Sequence, residues 1–202
     1  MNFVWMGNNM RKVFIDCGAN DGCSVRKFRK IMKDSDDYEI YSFECNPTLA
    51  NSFDEKGVIF SSKAVSDKDG EVVFFSHTIN DVAGTTFEKK GKMKNCGCNT
   101  PGTVVSFNVK TIRLSKFILD NFSREDHIIL KLDVEGEEYR IVPDLIKTKA
   151  IDFVDDLWIE WHSKWIGEDD SIDRKLEDKI KSFGVNIDNT WDAAPFRRRH
   201  KR

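Results

Sequence analysis

Residues 13–22 read Val13-Phe14-Ile15-Asp16-Cys17-Gly18-Ala19-Asn20-Asp21-Gly22. A short apolar run ends in a carboxylate and passes into a turn of small residues. A buried parallel strand delivers its carboxyl end to a ligand in this way. Gly18 and Gly22 let the backbone turn tightly and approach a bound molecule. Asn20, between them, is among the few other residues that tolerate positive φ. Beyond the turn, Val25, Phe28 and Ile31/Met32 recur at helical spacing. The stretch reads as strand, glycine turn and helix, the first unit of a nucleotide-type site. An ordinary strand-to-helix turn carries glycines too, so the choice rests on the residues around it.

Working outward, strand-like and helix-like segments alternate. Strands are expected over 12–17, 38–43, 58–60, 71–75, 104–112, 127–132, 157–162 and 185–187. Helices are expected at about 23–33, 48–55, 115–122, 136–147 and 173–183, the fourth broken at Pro143. This alternation indicates an α/β fold with a mainly parallel sheet and helices on both faces. The 202 residues are enough for one domain, 1–202, and too few for two comfortable ones. Residues 77–102 change character and offer few core candidates; a loop of this length in a compact domain reads as a substrate lid.

The formal net charge of −2 argues against a dedicated nucleic-acid binder. The terminal run 197–202 is basic. It reads as a solvated tail, a contact for an acidic partner, or the edge of a longer polypeptide. Five cysteines are an odd, scattered set without a secretory framework, and there is no long apolar span. A reducing, cytoplasmic setting without a membrane span is therefore expected. Cys96-Gly97-Cys98 lacks a second pair at zinc spacing, so no structural metal is expected there.

In an open α/β sheet, ligands bind beyond the carboxyl ends of the strands. Those ends carry Asp16, Glu44, Ser66/Asp67, Asp133, and Glu160 with His162. Glu44 lies where an acid accepts hydrogen bonds from both ribose hydroxyls of an adenosine. NAD and S-adenosylmethionine sites share such an acid, but their first turns differ. A pyrophosphate needs bare backbone at the helix N-terminus, and Asp16 at the entrance would repel it. The same carboxylate suits the ammonium of a methionyl group and a field that tolerates a sulfonium. The acids favour S-adenosylmethionine.

Three passages then resemble the FkbM-type family of S-adenosylmethionine-dependent methyltransferases. Val13–Gly22, followed by Ser24, is similar to the family's Asp-x-Gly-Ala-Asn-x-Gly turn. Phe43-Glu44-Cys45-Asn46-Pro47 is similar to its Phe-Glu-Pro-Asn-Pro, with Cys45 in place of a proline. Lys131-Leu132-Asp133-Val134-Glu135-Gly136-Glu137-Glu138 is similar to its Lys-Ile-Asp-Val-Glu-Gly-x-Glu. Ala64-Val65-Ser66-Asp67 and the Gly70 turn also fit. The resemblance covers about residues 12–162. It implies a Rossmann-like class I methyltransferase fold, with a sheet of the seven-stranded type. It implies cofactor contacts from Asp16, Gly18, Ala19, Asn20, Asp21, Gly22 and Ser24. Further contacts would come from Glu44, Cys45, Asn46, Ala64, Val65 and Asp133. The implied reaction is O-methylation of a sugar, a glycan or another small hydroxylated acceptor.

Methyl transfer to a hydroxyl needs in-line approach and removal of a proton. His162 or Asp133 is the candidate base, with Lys131 orienting a carboxylate and Glu135 beside them. Each has a plainer reading. His162 would pack between Trp161 and Trp165, Lys131 would form a salt bridge, Asp133 would cap a helix, and Glu135 would complement a helix dipole. Asp133, Glu160 and His162 also suit a hard divalent ion, Mg²⁺ or Mn²⁺. The tryptophans at 158–165 and 191 serve either as core or as a stacking wall for a sugar. Two other functions fit the sequence less well: RNA or protein methylation, and a non-catalytic module of a larger glycan-building protein.

Overall fold

The computed structural model describes residues 10–76, 84–88 and 104–196. Among these, nine strands follow in chain order: β1 Lys12–Cys17, β2 Tyr38–Phe43, β3 Val58–Ser61, β4 Ala64–Ser66, β5 Gly70–Ser76, β6 Val105–Arg113, β7 His127–Leu132, β8 Asp156–Ile159 and β9 Asn186–Asp188. Six of them form one parallel sheet in the order β3-β2-β1-β7-β8-β9. β1 and β7 are central, and both are buried almost throughout, which explains their unbroken apolar runs.

Alternation along β1 sorts the sheet into two cores. Val13, Ile15 and Cys17 join Leu114 and Ile118 of the helix Leu114–Asn121, and Ile141, Val142 and Leu145 of the helix Glu138–Thr148. Phe14 joins Ile40, Ile129 and the helix Cys23–Ile31 on the other face, where its ring stacks on Phe28 at 4.2 Å. Helices therefore cover both faces, as expected. Phe28 is fully buried, and truncating it to alanine would cost about 3–5 kcal/mol.

Three expectations need correction. Among the described residues the main sheet is a six-stranded, Rossmann-like parallel one, and the strands expected over 71–75 and 104–112 are not part of it. β5 and β6 pair antiparallel with each other, and with β4 they form a separate sheet ordered β4-β6-β5. β6 alternates between covered and exposed residues, the pattern of a sheet with one wet face, which a doubly covered parallel sheet excludes. Pro143 does not break its helix, which runs from Glu138 to Thr148. Ile141, Val142 and Leu145 are buried on one face, and their packing offsets the hydrogen bond that proline cannot donate. β8 ends at Ile159, so Glu160 and His162 do not share a strand face. The Glu160 N–H still bonds Leu132 O at 2.9 Å, and the chain then leaves the sheet for the short helix Ser163–Ile166.

Of the presumed lid 77–102, residues 84–88 are described; Thr85 is buried, its neighbours are partly covered and Glu88 is exposed. Phe75 and Thr85 exchange two backbone hydrogen bonds of 2.7 and 2.9 Å. A side chain at Gly84 would meet the Phe74 ring at 2.2 Å, so only glycine passes there. The remainder of the lid, with Cys96-Gly97-Cys98, and the basic run 197–202 lie outside the described residues.

Candidate active site

The glycine turn beyond β1 is stitched to its neighbours through the backbone. The Gly18 and Ala19 N–H groups both donate to Phe43 O, at 3.0 and 2.9 Å. Gly18 (φ +81°) crosses so close to β7 that an added Cβ would lie 1.9 Å from the Asp133 carbonyl oxygen. Asn20 takes φ +52°, as its place between the glycines suggests. Above this turn lies a cavity of about 830 Å³, open mouth included.

Beneath the turn, three adjacent strands bring Ser42, Asp16 and Lys131 into register, all fully buried. Lys131 Nζ donates to Gly18 O at 2.6 Å and to Cys17 O at 3.2 Å, and it lies 3.4 Å from both Asp16 Oδ1 and Asp133 Oδ2. Burial works against its charge, but Asp133 and Asp16 more than offset that and hold the ammonium charged. Burial pushes the Asp16 carboxyl up, opposed by Lys131. The lysine thus anchors the glycine turn to β7 and reaches both acids.

Glu44 stands where β2 ends. Its Oε2 accepts the Asn20 N–H at 2.9 Å and its Oε1 the Asn46 N–H at 2.7 Å. Each oxygen keeps lone pairs for a further donor. Burial pushes this carboxyl up to about 7, although both backbone bonds favour its charged form. Asn46 in turn caps the helix Pro47–Ser52 through Thr48 N–H.

On the opposite wall, the loop after β7 presents Asp133 and Glu135. Glu138 is fully buried behind them and holds the loop: its Oε1 accepts the Val134 N–H at 2.8 Å, and its Oε2 the Gly136 N–H at 2.9 Å. Glu138 Oε1 also lies 3.1 Å from His162 Nδ1. Both Glu138 oxygens already accept backbone N–H groups, which suits Nδ1 as a donor to Oε1 and turns Nε2 toward the acids. Nε2 is 3.4 Å from Glu135, 3.9 Å from Asp133 and 3.9 Å from Glu160. Burial and then the Asp133 charge push Glu160 upward. One ligand atom each from Asp133, Glu135 and His162 lies within 4.8 Å of the others. Glu135 takes φ +56°, and its carbonyl accepts the Thr85 hydroxyl at 2.6 Å.

Of the residues expected at the cofactor, Gly18, Asn20, Ser24, Glu44, Cys45, Asn46, Ala64, Val65 and Asp133 line the cavity. Asp16, Ala19, Asp21 and Gly22 lie outside its lining. Asp16 is walled off under the turn, so it does not offer its carboxylate at the entrance. Asp21 instead accepts the Cys23 N–H and pairs with Arg26, and Glu55 covers Gly22. Among the catalytic and metal candidates, Asp133 and Glu135 reach the cavity, while His162, Lys131 and Glu160 stand behind or beside them. For a metal, the geometry groups Glu135 with Asp133 and His162 and leaves Glu160 further out.

The sequence reading passed over Glu138, although it closes the quoted motif; an acid just inside a helix reads as a dipole charge until its buried partners are seen. It also passed over Glu137, which accepts the Ser66 hydroxyl at 2.9 Å and pairs with Arg140 at 2.6 Å. Thr85, Asp192 and Ala193 also line the cavity, and no local motif marks them. Among the described cavity walls, Glu44, Asp133, Glu135, Glu137 and Asp192 are acids and Lys63 is the one base. This lining repels a pyrophosphate and suits a cation. The glycine cradle and the ribose-type acid fit an S-adenosyl donor.

The family model described as the methyltransferase FkbM domain matches residues 16–186. No curated protein matches the chain, and no solved structure does.

Proposed function

Because the chain belongs to the FkbM methyltransferase family, we propose that it transfers a methyl group from S-adenosylmethionine to a hydroxyl of a sugar, a glycan or a similar small acceptor. The observation that carries this is Glu44, steadied by the Asn20 and Asn46 N–H groups on the wall of a cavity that begins at the glycine turn. Its carboxylate accepts from both ribose hydroxyls. Ala64 and Val65 offer a dry wall to the base, and Gly18 lets the donor approach the backbone. When bound, the donor supplies an electrophilic methyl carbon on a sulfonium.

The chain's own part is to orient the hydroxyl and take its proton. Asp133 is on the cavity wall and His162 is behind it, which supports Asp133 as the group that meets the hydroxyl. His162 Nε2 lies 3.4 Å from Glu135 and 3.9 Å from Asp133, and it stabilises these acids when the ring takes a second proton. Lys131 holds Asp133 in place from below. The acids lining this side disfavour the phosphates of an RNA acceptor.

A divalent cation is a second reading, favoured by the close grouping of Asp133, Glu135 and His162. It would lower the pKa of the acceptor hydroxyl. The test is a mass-spectrometric screen of glycans and small polyols with S-adenosylmethionine, with and without EDTA. The expected result is a mass gain of one methylene unit on a hydroxylated acceptor. Loss of that product with EDTA, and its return with Mg²⁺ or Mn²⁺, supports the cation. Methylation of RNA or protein alone would refute the acceptor class, and donor binding without turnover would support a non-catalytic module.

A further inference from the structure

The family match ends at residue 186, yet the cavity wall does not. Asp192 and Ala193 line it together with Gly18, Asn20, Cys23 and Ser24. Three contacts hold this stretch in place. Trp191 is buried, with its ring stacked on Trp158 at 4.4 Å and 16°. Lys27 Nζ lies 3.7 Å over the Trp191 ring. Arg26 Nε donates to Phe196 O at 2.8 Å, while the same guanidinium bonds Asp21 O at 2.8 Å and Glu55 Oε1 at 2.6 Å. The end of the chain's described part is therefore bound to the helix that follows the glycine turn. Ala193 and Cys23 close the seam in one small apolar cluster.

The donor's aminoacyl end carries an ammonium that needs an acceptor near the turn. Asp16 lies outside the cavity lining. Asp133 stands on the loop after β7, where Lys131 holds it at 3.4 Å. Asp192 lines the cavity and is exposed, and its neighbours Trp191 and Ala193 pack with Cys23 at the start of the helix after the turn. Lys27, whose ammonium feels Asp188 and Asp192, is the neighbouring cation.

We propose that Trp191–Phe196 completes the donor cavity and that Asp192 takes the ammonium of the donor's aminoacyl end. This rests on the reading of the cavity as an S-adenosyl site. The exposed position of Asp192 lets it be changed without opening a core. The test compares two ligands by calorimetry on the intact protein. S-adenosylhomocysteine carries the aminoacyl end, and 5′-methylthioadenosine lacks it. Asp192→Asn should weaken S-adenosylhomocysteine about tenfold, the size of one charge-assisted hydrogen bond, and leave 5′-methylthioadenosine unchanged. Equal weakening of both ligands, or of neither, would overturn the proposal. So would equal affinity of the unaltered protein for the two ligands, which would leave the donor site itself standing. Binding of neither ligand by the unaltered protein would overturn the donor reading and this proposal together.

Discussion

Burial pushes the Glu44 carboxyl up to about 7, against the two backbone hydrogen bonds that favour its charged form. Ribose hydroxyls donate best to the charged form, so donor affinity should rise as pH increases through about 7. Calorimetric titrations across that range check this, and Glu44→Gln should flatten the rise and weaken binding. Stability of the donor-free protein should move the other way. The folded state holds a proton that an ordinary glutamate releases near 4.5. Stability is therefore fullest below that value and falls as pH rises through about 7, a fall absent in Glu44→Gln. Lys131 makes a second residue-scale prediction. Lys131→Met leaves Asp16 buried without its cation and should cost about 3–5 kcal/mol in urea unfolding. Adding Asp16→Asn should recover part of that loss. The place of Glu44 at the end of β2 and on the cavity wall was readable from its spacing after the turn. The role of Asp16 was not: a strand-end acid points to a ligand by default, and only the register with Lys131 and Ser42 shows it turned beneath the backbone.

Among the elements, the glycine turn and the loop after β7 depend on each other. A methyl group at Gly18 would strike the Asp133 carbonyl at 1.9 Å. Gly18→Ala should therefore abolish donor binding and lower the melting temperature by several degrees, since both strain and the displaced loop contribute. Pro143 predicts the reverse. It sits inside the helix Glu138–Thr148 without an N–H to donate. Pro143→Ala should stabilise the protein by about 1–3 kcal/mol in chemical denaturation. Periodicity placed β1, β2, β7 and the helix 23–31 closely, because each pairs a clear apolar pattern with a buried face. It misread 160–162 as strand, since Trp161 and His162 continue an apolar-looking run after the ladder with β7 has ended at Ile159. The burial of Thr85 was hidden because it depends on pairing with Phe75, on a strand outside any local pattern.

At the scale of the molecule, the cavity lies where the six-stranded sheet meets the three-stranded one. β1, β2 and β7 supply the turn, Glu44 and Asp133; β4 and β5 supply Ala64, Val65 and Phe74. Parallel strands ending in acids made the methyltransferase family and the position of Glu44 and Asp133 readable from the chain alone. The second sheet and the wall at 191–193 were not, since both are assembled from distant segments. Among the described helices none is long and apolar enough to cross a membrane. For turnover, Asp133→Asn should lower the methylation rate by about 10²–10⁴-fold while donor affinity changes little; full turnover in that variant would remove Asp133 from the proton transfer. The central claim is that an S-adenosyl donor occupies this cavity with its ribose on Glu44. A crystal of the protein grown with S-adenosylhomocysteine tests it most directly. Both ribose hydroxyls should lie within hydrogen-bond distance of the Glu44 carboxylate, with the nucleoside against Ala64 and Val65. A ligand bound elsewhere, or a ribose turned away from Glu44, would contradict it.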